Sequence, residues 1–334
     1  MDKPNLLINL PQGFFTNPAL APIFDRLNRF ATVRRTSHNT PEEIATDLAW
    51  AQIVLMWSWP ALVPPLLDQA TQLKFAAHLD INQRAATAAL QHHLPVSVYR
   101  GGFSPAVAEM ALANILCVLR HLSDHHAAMR TAREVWVKAF PDDIDPTERE
   151  LTGRSVGIIG FGQIGRRLCE LLQPFHCQLF ASDPFVPGPA MAAASVTKVE
   201  LPDLLRRCDI VVVAASSNPG TTRMIGPAEI AALKKDAVFV LISRAALVDT
   251  EALVTRLKQG HLFAAIDVFD HEPLSADHPL RTLPNAYLSP HRAGGIMASV
   301  ERIISTLVDE IEAFTENRPR RFALTETLLP MLDA

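Results

Sequence analysis

Three ionisable residues each stand just past an apolar run of strand length. Arg244 follows Val238-Phe239-Val240-Leu241-Ile242-Ser243, Glu272 comes shortly after Ala265-Ile266-Asp267-Val268-Phe269, and His291 follows Tyr287-Leu288-Ser289-Pro290. In an open parallel sheet, ligands bind outside the carboxyl ends of the strands, so these side chains can converge on one crevice. Their chemistry is complementary. A guanidinium holds a carboxylate through two hydrogen bonds, an imidazole exchanges a proton near neutral pH, and a carboxylate orients and charge-stabilises that imidazole. Singly, each also has a plain reading: Arg244 as a surface loop residue, Glu272 as one more exposed carboxylate beside His271, His291 as the close of a strand before Gly294-Gly295. Their recurrence at three strand ends of one unit favours a shared site.

The same unit opens with a phosphate-binding signature. Gly160-Phe161-Gly162-Gln163-Ile164-Gly165 comes directly after the strand-like Val156-Gly157-Ile158-Ile159 and begins the helical run 166–172. In that order the first glycine permits a tight turn, the second leaves room for a pyrophosphate, and the third permits close helix packing. The anion then faces a helix N-terminus, whose free amides and macrodipole favour it. Asp183 stands just past the apolar run 177–181. A carboxylate there accepts the adenosine ribose hydroxyls and repels a 2′-phosphate, which predicts NAD in preference to NADP. The alternative is that Asp183 simply starts a turn with Pro184.

The elements needed to hold these groups are legible as pattern. Residues 1–100 alternate short apolar runs (6–10, 31–34, 52–56) with helical patterns (18–29, 41–49, 61–69), the order of an open α/β unit. A long helix is predicted from Ser104 to near Val137, with Val107, Ala111, Ile115, Val118 and Leu122 on one stripe. Residues 141–150 read as surface loop. Apolar runs then recur at 155–159, 177–181, 210–214, 237–242, 264–269 and 286–288, without strict alternation, as in a parallel sheet covered on both faces. A last helical pattern covers 294–314. The 334 residues, 49% hydrophobic and 20% charged, suffice for two cored domains. Thirty-one basic against 35 acidic side chains, interspersed, give no nucleic-acid footprint. Cys117, Cys169, Cys177 and Cys208 have no metal-ligand spacing and read as reduced and buried. No unbroken apolar run reaches about 18 residues, so no membrane span is predicted. Residues 6–10 lack the flanks of a signal segment, and a cytoplasmic location is expected.

Several separated motifs, in order, resemble those of the D-isomer-specific 2-hydroxyacid dehydrogenases. They are Gly160 to Gly165, Leu241-Ile242-Ser243-Arg244-Ala245 with Val248-Asp249, Ala265-Ile266-Asp267-Val268-Phe269 with Glu272-Pro273-Leu274, and Ser289-Pro290-His291 with Ala293-Gly294. The match runs through about residues 95 to 300. The resemblance implies an α/β fold of two doubly wound parallel-sheet domains. A Rossmann cofactor domain (101–294, including an interdomain helix near 104–137) would be inserted in a flavodoxin-like substrate domain (1–100 and 295–334). It implies a dimeric, NAD(P)-dependent oxidoreductase acting on a small carboxylate-bearing substrate, with Arg244 on the substrate carboxylate and carbonyl, His291 as acid/base and Glu272 paired with it. It also implies a cofactor-binding set of Gly160, Gly162, Gln163, Ile164, Gly165, Asp183, Ser216, Thr222, Ser243, Arg244, Asp267 and His291, with Asp267 on the nicotinamide carboxamide side.

The chain also departs from that pattern. Where the family carries a glycine-rich loop after a Leu-Lys pair, Leu73-Lys74 is followed by Phe75-Ala76-Ala77-His78-Leu79-Asp80-Ile81-Asn82, which adds side-chain bulk and a possible negative charge. Ala245 replaces the family's usual glycine, and Ala214-Ala215-Ser216-Ser217-Asn218 its usual Leu-His-x-Pro-Leu. Asp80, Arg100 and Trp57 are weaker substrate-contact candidates. Arg100-Gly101-Gly102-Phe103 also suits a hinge, and Trp57-Ser58-Trp59-Pro60 suits either surface packing or an aromatic wall. His121, His125 and His126 lack the acidic or thiol partners of a metal site, and the chemistry requires no metal. The competing functions are a dehydrogenase of this fold acting on a different small anion, and an NAD-sensing interaction protein.

Overall fold

The computed structural model describes residues 3–57 and 59–332; Ser58, inside the Trp57 to Pro60 motif, lies outside them. Two compact units result, Met1–Phe103 with Ile296–Ala334, and Ser104–Gly295.

In the first unit five parallel strands, β1 (Asn5–Asn9), β2 (Thr32–Thr36), β3 (Ile53–Met56), β4 (Phe75–His78) and β5 (Val96–Val98), lie in the order β2-β1-β3-β4-β5. Alternate residues feed two cores. Leu7, Val54, Met56 and Ala76 face one, and Leu6, Ile8, Ile53, Leu55, Phe75 and Ala77 face the other. The second core is completed by Ile303, Ile304, Leu307, Val308 and Ile311 of the helix Met297–Thr315, so the chain's last long helix returns to the first unit. Local signals agree with the fold: Thr40 and Glu43 form a reciprocal capping box ahead of Pro41–Trp50, and Asn82 caps Gln83–Gln91. Residues 75–78, expected to be loop, form strand β4 instead. Val96 to Val98 form a further parallel strand beyond it, and Phe322 and Leu324 bond back to Val98 and Val96.

In the second unit seven parallel strands, β6 (Ser155–Ile159), β7 (Gln178–Ser182), β8 (Thr197–Lys198), β9 (Ile210–Val213), β10 (Ala237–Leu241), β11 (Leu262–Ile266) and β12 (Ala286–Leu288), run in the order β12-β11-β10-β9-β6-β7-β8. Strand order reverses between β6 and β9, the switch point at which dinucleotides bind in such sheets. The two units are therefore doubly wound α/β folds, flavodoxin-like and Rossmann respectively.

The long helix predicted to near Val137 is broken. It runs Ser104–Leu119, turns at His121 in the left-handed region (φ 48°), and resumes only as Leu122–Arg130. The His121 ring, 3.1 Å from the Tyr287 hydroxyl and 3.0 Å from Thr147 Oγ1, holds the break. The segment Arg100–Leu119 does reach the length and mean hydropathy (1.6) of a membrane span, contrary to the reading of the sequence. Its apolarity has a local cause: Ala108, Ala111, Ile115 and Val118 are buried, and the helix packs on Gln163–Leu172 and on β10 and β11.

Candidate active site and cofactor site

The glycine turn follows β6 at the switch point. Gly160 has φ +91°, and a Cβ there would lie 2.5 Å from Ala215 Cα. At Gly165 a Cβ would lie 2.5 Å from the Gly160 carbonyl oxygen, so only glycine allows helix Gln163–Leu172 to pack this close to its own strand. At Gly162 a Cβ would meet nothing within 4 Å. That open position directly ahead of the amides of Gln163 and Ile164 suits a pyrophosphate. Asp183, just past β7, accepts from Phe161 N through Oδ2 (2.8 Å) and from Phe185 N through Oδ1 (2.9 Å). A carboxylate has about four lone-pair sites, so each oxygen keeps one for a ribose hydroxyl. Ser216 and Thr222 lie in the turn after β9, closed by Thr221 Oγ1 donating to the Ser216 carbonyl (2.8 Å) and Thr222 Oγ1 to that of Asn218 (3.1 Å). The residues present fit a dinucleotide.

Arg244, Glu272 and His291 all come from the carboxyl ends of β10, β11 and β12. Arg244 is extended (φ −148°) just past buried Ser243, and donates to the Ser243 carbonyl (2.9 Å). Ala245 occupies the short turn Ala245–Leu247 and is buried in the core, so a methyl at this position is accommodated. Glu272 is held by its own loop: Oε1 accepts from Phe269 N (3.0 Å), and Oε2 lies 2.7 Å from His291 Nδ1. Burial opposes ionisation of Glu272, but the His291 hydrogen bond, the Phe269 amide, and the charges of His291 and Arg244 together outweigh it, and its carboxyl lies below the usual carboxylate range. The Arg244 guanidinium is thus close enough to act on the carboxylate that supports His291. With Nδ1 carrying the proton donated to Glu272, Nε2 of His291 is left to exchange a proton with a substrate.

Asp267 does more than its place in the sequence announces. It is fully buried (0% exposed), and its carboxylate accepts from Ser289 Oγ, Arg292 N (2.9 Å) and Ala293 N (2.8 Å), while its carbonyl accepts from His291 N (2.8 Å). It fastens the whole 289–293 turn, in which His291 adopts φ 50°. The sequence places Asp267 and Ser289 in family-like motifs, but neither the hydrogen bond between them nor that of the Phe269 amide to Glu272 has any signal there. In the first unit, Trp57 and the exposed Asp80 and Arg100 follow β3, β4 and β5 in turn. His78, expected to add bulk to a loop, is instead fully buried in β4, with Nδ1 2.9 Å from the Asp80 carbonyl oxygen.

Comparison with known proteins decides the family. The model of the D-isomer specific 2-hydroxyacid dehydrogenase NAD-binding domain matches residues 112–293, more than half of the chain. The chain belongs to that family. It is an oxidoreductase carrying the family's NAD-binding Rossmann domain. The chain is 28% identical over 256 residues to the glyoxylate reductase of Aeropyrum pernix, covering 76% of each. It is 27% identical over 299 residues to D-3-phosphoglycerate dehydrogenase of Methanocaldococcus jannaschii, covering 88% of this chain and 55% of that one. The chain thus spans about half the length of that relative. The TT0316 protein from Thermus thermophilus shares the fold at a TM-score of 0.77 and 26% identity, over 96% of this chain and 100% of that one.

Proposed function

We propose that the chain interconverts a small 2-oxo acid and its D-2-hydroxy acid with NAD(H), using Arg244, Glu272 and His291. The observation that carries this reading is the 2.7 Å contact of His291 Nδ1 with Glu272, a carboxylate that the Arg244 charge also reaches. The 160–165 turn and Asp183 would hold the dinucleotide, which when bound would supply or take a hydride at C2. Arg244 binds the substrate carboxylate and polarises the carbonyl. His291 gives a proton from Nε2 to the carbonyl oxygen as it gains charge, and recovers it in the oxidative direction. Glu272 fixes the ring through Nδ1, and Asp267 fixes the turn beneath it. Asp183 selects against a 2′-phosphate.

The partner that best suits the segment beyond residue 130 is a second copy of the chain, because Val135 (87% exposed), Trp136 and Phe140 (78%) present apolar side chains to solvent. Light scattering would show a dimer that Trp136→Glu with Phe140→Asp splits; a monomeric wild type ends this part of the reading. For the reaction, NADH loss is followed with glyoxylate, hydroxypyruvate, pyruvate and bulkier 2-oxo acids. Turnover with at least one, lost in Arg244→Ala, is expected. No turnover with any, by protein that binds NADH, would overturn the proposal.

A further inference from the structure

Both members of the Glu272–His291 pair hang from one short stretch of chain at the end of β11. Phe269 N holds Glu272 through Oε1 (3.0 Å), and Asp267, two residues earlier, holds the turn that carries His291. Two residues span at most about 7 Å. The 2.7 Å contact between the two side chains is therefore set by the end of β11 for as long as the end of β12 stays fastened to it. That fastening is needed, because β12 is an edge strand of three residues, Ala286–Leu288, paired with β11 alone.

The fastening has two sides. After His291, Arg292 N (2.9 Å) and Ala293 N (2.8 Å) donate to the buried Asp267 carboxylate. Before it, Ser289 N donates to the Ile266 carbonyl (3.0 Å) and Ser289 Oγ to Asp267 Oδ1. Pro290, between Ser289 and His291, has no amide to offer. His291 itself stands at φ 50°, a region disfavoured for any residue with a Cβ, and such a conformation persists only where its surroundings over-determine it. Its amide is shared between the carbonyls of Asp267 (2.8 Å) and Ser289 (3.0 Å). Without the Ser289 hydroxyl the carboxylate would be clasped from one side of His291 only. The turn could then relax towards negative φ and carry the ring away from Glu272.

We infer that Ser289 is a positioning residue: its hydroxyl, acting through Asp267, holds the His291 ring against Glu272. For turnover this rests on the reaction proposed above; the placement of the ring stands apart from it. The test follows Ser289→Ala and Ser289→Thr by two readouts. Long-range proton–nitrogen NMR, recorded where the ring is neutral, identifies which nitrogen of His291 carries the hydrogen, the signal being assigned by its loss in His291→Ala. Wild type and Ser289→Thr should carry it on Nδ1, bonded to Glu272. In Ser289→Ala a share should move to Nε2, because the bond that fixed the tautomer is gone. In parallel, kcat for a 2-oxo acid should fall by about tenfold or more in Ser289→Ala and return to within a few fold of wild type in Ser289→Thr, with NADH affinity kept in both. Hydrogen on Nε2 in wild type, or a wild-type tautomer in Ser289→Ala, overturns the inference whatever the rate. A shifted tautomer with undiminished kcat supports the placement and overturns the proton-transfer role of His291. Should no 2-oxo acid be reduced, the reaction itself is wrong, and the tautomer alone decides the placement.

Discussion

Lowering the pH should weaken the first unit through one buried ring. His78 is fully buried in β4, between Met56 of β3 and Val98 of β5, with Nδ1 bonded to the Asp80 carbonyl and Nε2 lacking any partner among the described residues. Protonation would place an unsatisfied N–H and a charge in the core. Burial therefore pushes the imidazole down from 6.5 to about 4, against the smaller opposing effect of the Asp80 carbonyl. The sign follows by linkage. Above about pH 6.5 both states are neutral and the ring costs nothing; below it the unfolded chain takes up a proton that the folded chain refuses, until the pH reaches about 4. Across that window the loss is about 1.4 kcal/mol for each pH unit, or roughly 3 kcal/mol in all. His78→Asn keeps a donor for the Asp80 carbonyl and removes the titration. Urea unfolding can be followed by tryptophan fluorescence, since Trp50, Trp57 and Trp59 of the four tryptophans lie in this unit. The stability gap between wild type and variant should move in favour of His78→Asn by about 3 kcal/mol between about pH 7 and pH 4. A gap constant to within about 0.5 kcal/mol would refute the reasoning.

Four further outcomes follow from the second unit. Gly162→Ala should leave thermal stability nearly unchanged yet weaken NADH binding by about tenfold or more. Gly165→Ala, whose Cβ would strike the Gly160 carbonyl at 2.5 Å, should lower both; calorimetry with fluorescence titration separates the two. Asp183→Ser should raise the NADPH-to-NADH ratio of kcat/KM by about tenfold or more, at some cost in NADH affinity because the Phe161 amide loses its acceptor. Asp267→Asn puts an N–H against donors that now meet a carboxylate. It should lower the melting temperature and cut kcat by about 100-fold through misplacement of His291, as read from thermal scans and steady-state rates.

What could be read in the sequence was what depends on local order. A strand, three spaced glycines and a helix make the cofactor turn legible, because each glycine answers a steric demand within six residues. Arg244, Glu272 and His291 were legible as strand-end residues, since parallel sheets place such ends on one edge. The failures share another origin. Phe75 to His78 reads as loop because it stands where the resembled family carries a glycine-rich loop after its Leu-Lys pair; only the neighbours β3 and β5, far apart in sequence, bury it as strand. The apolar stripe continues past Leu119, but His121 is bound by Tyr287 and Thr147, and such tertiary contacts override helical periodicity. Asp267 likewise earns its importance from Ser289, Arg292 and Ala293, partners that appear only when β11 and β12 pair.

The most direct test replaces His291 by alanine and measures NADH binding and turnover of a 2-oxo acid on the same protein. NADH should still quench or sensitise fluorescence with wild-type affinity to within a few fold, while kcat falls by about 100-fold or more. Glu272→Gln should fall between the two, because it keeps the ring and removes the charge that supports it. His291→Ala that turns over at the wild-type rate across neutral pH would contradict the assignment of proton transfer to His291.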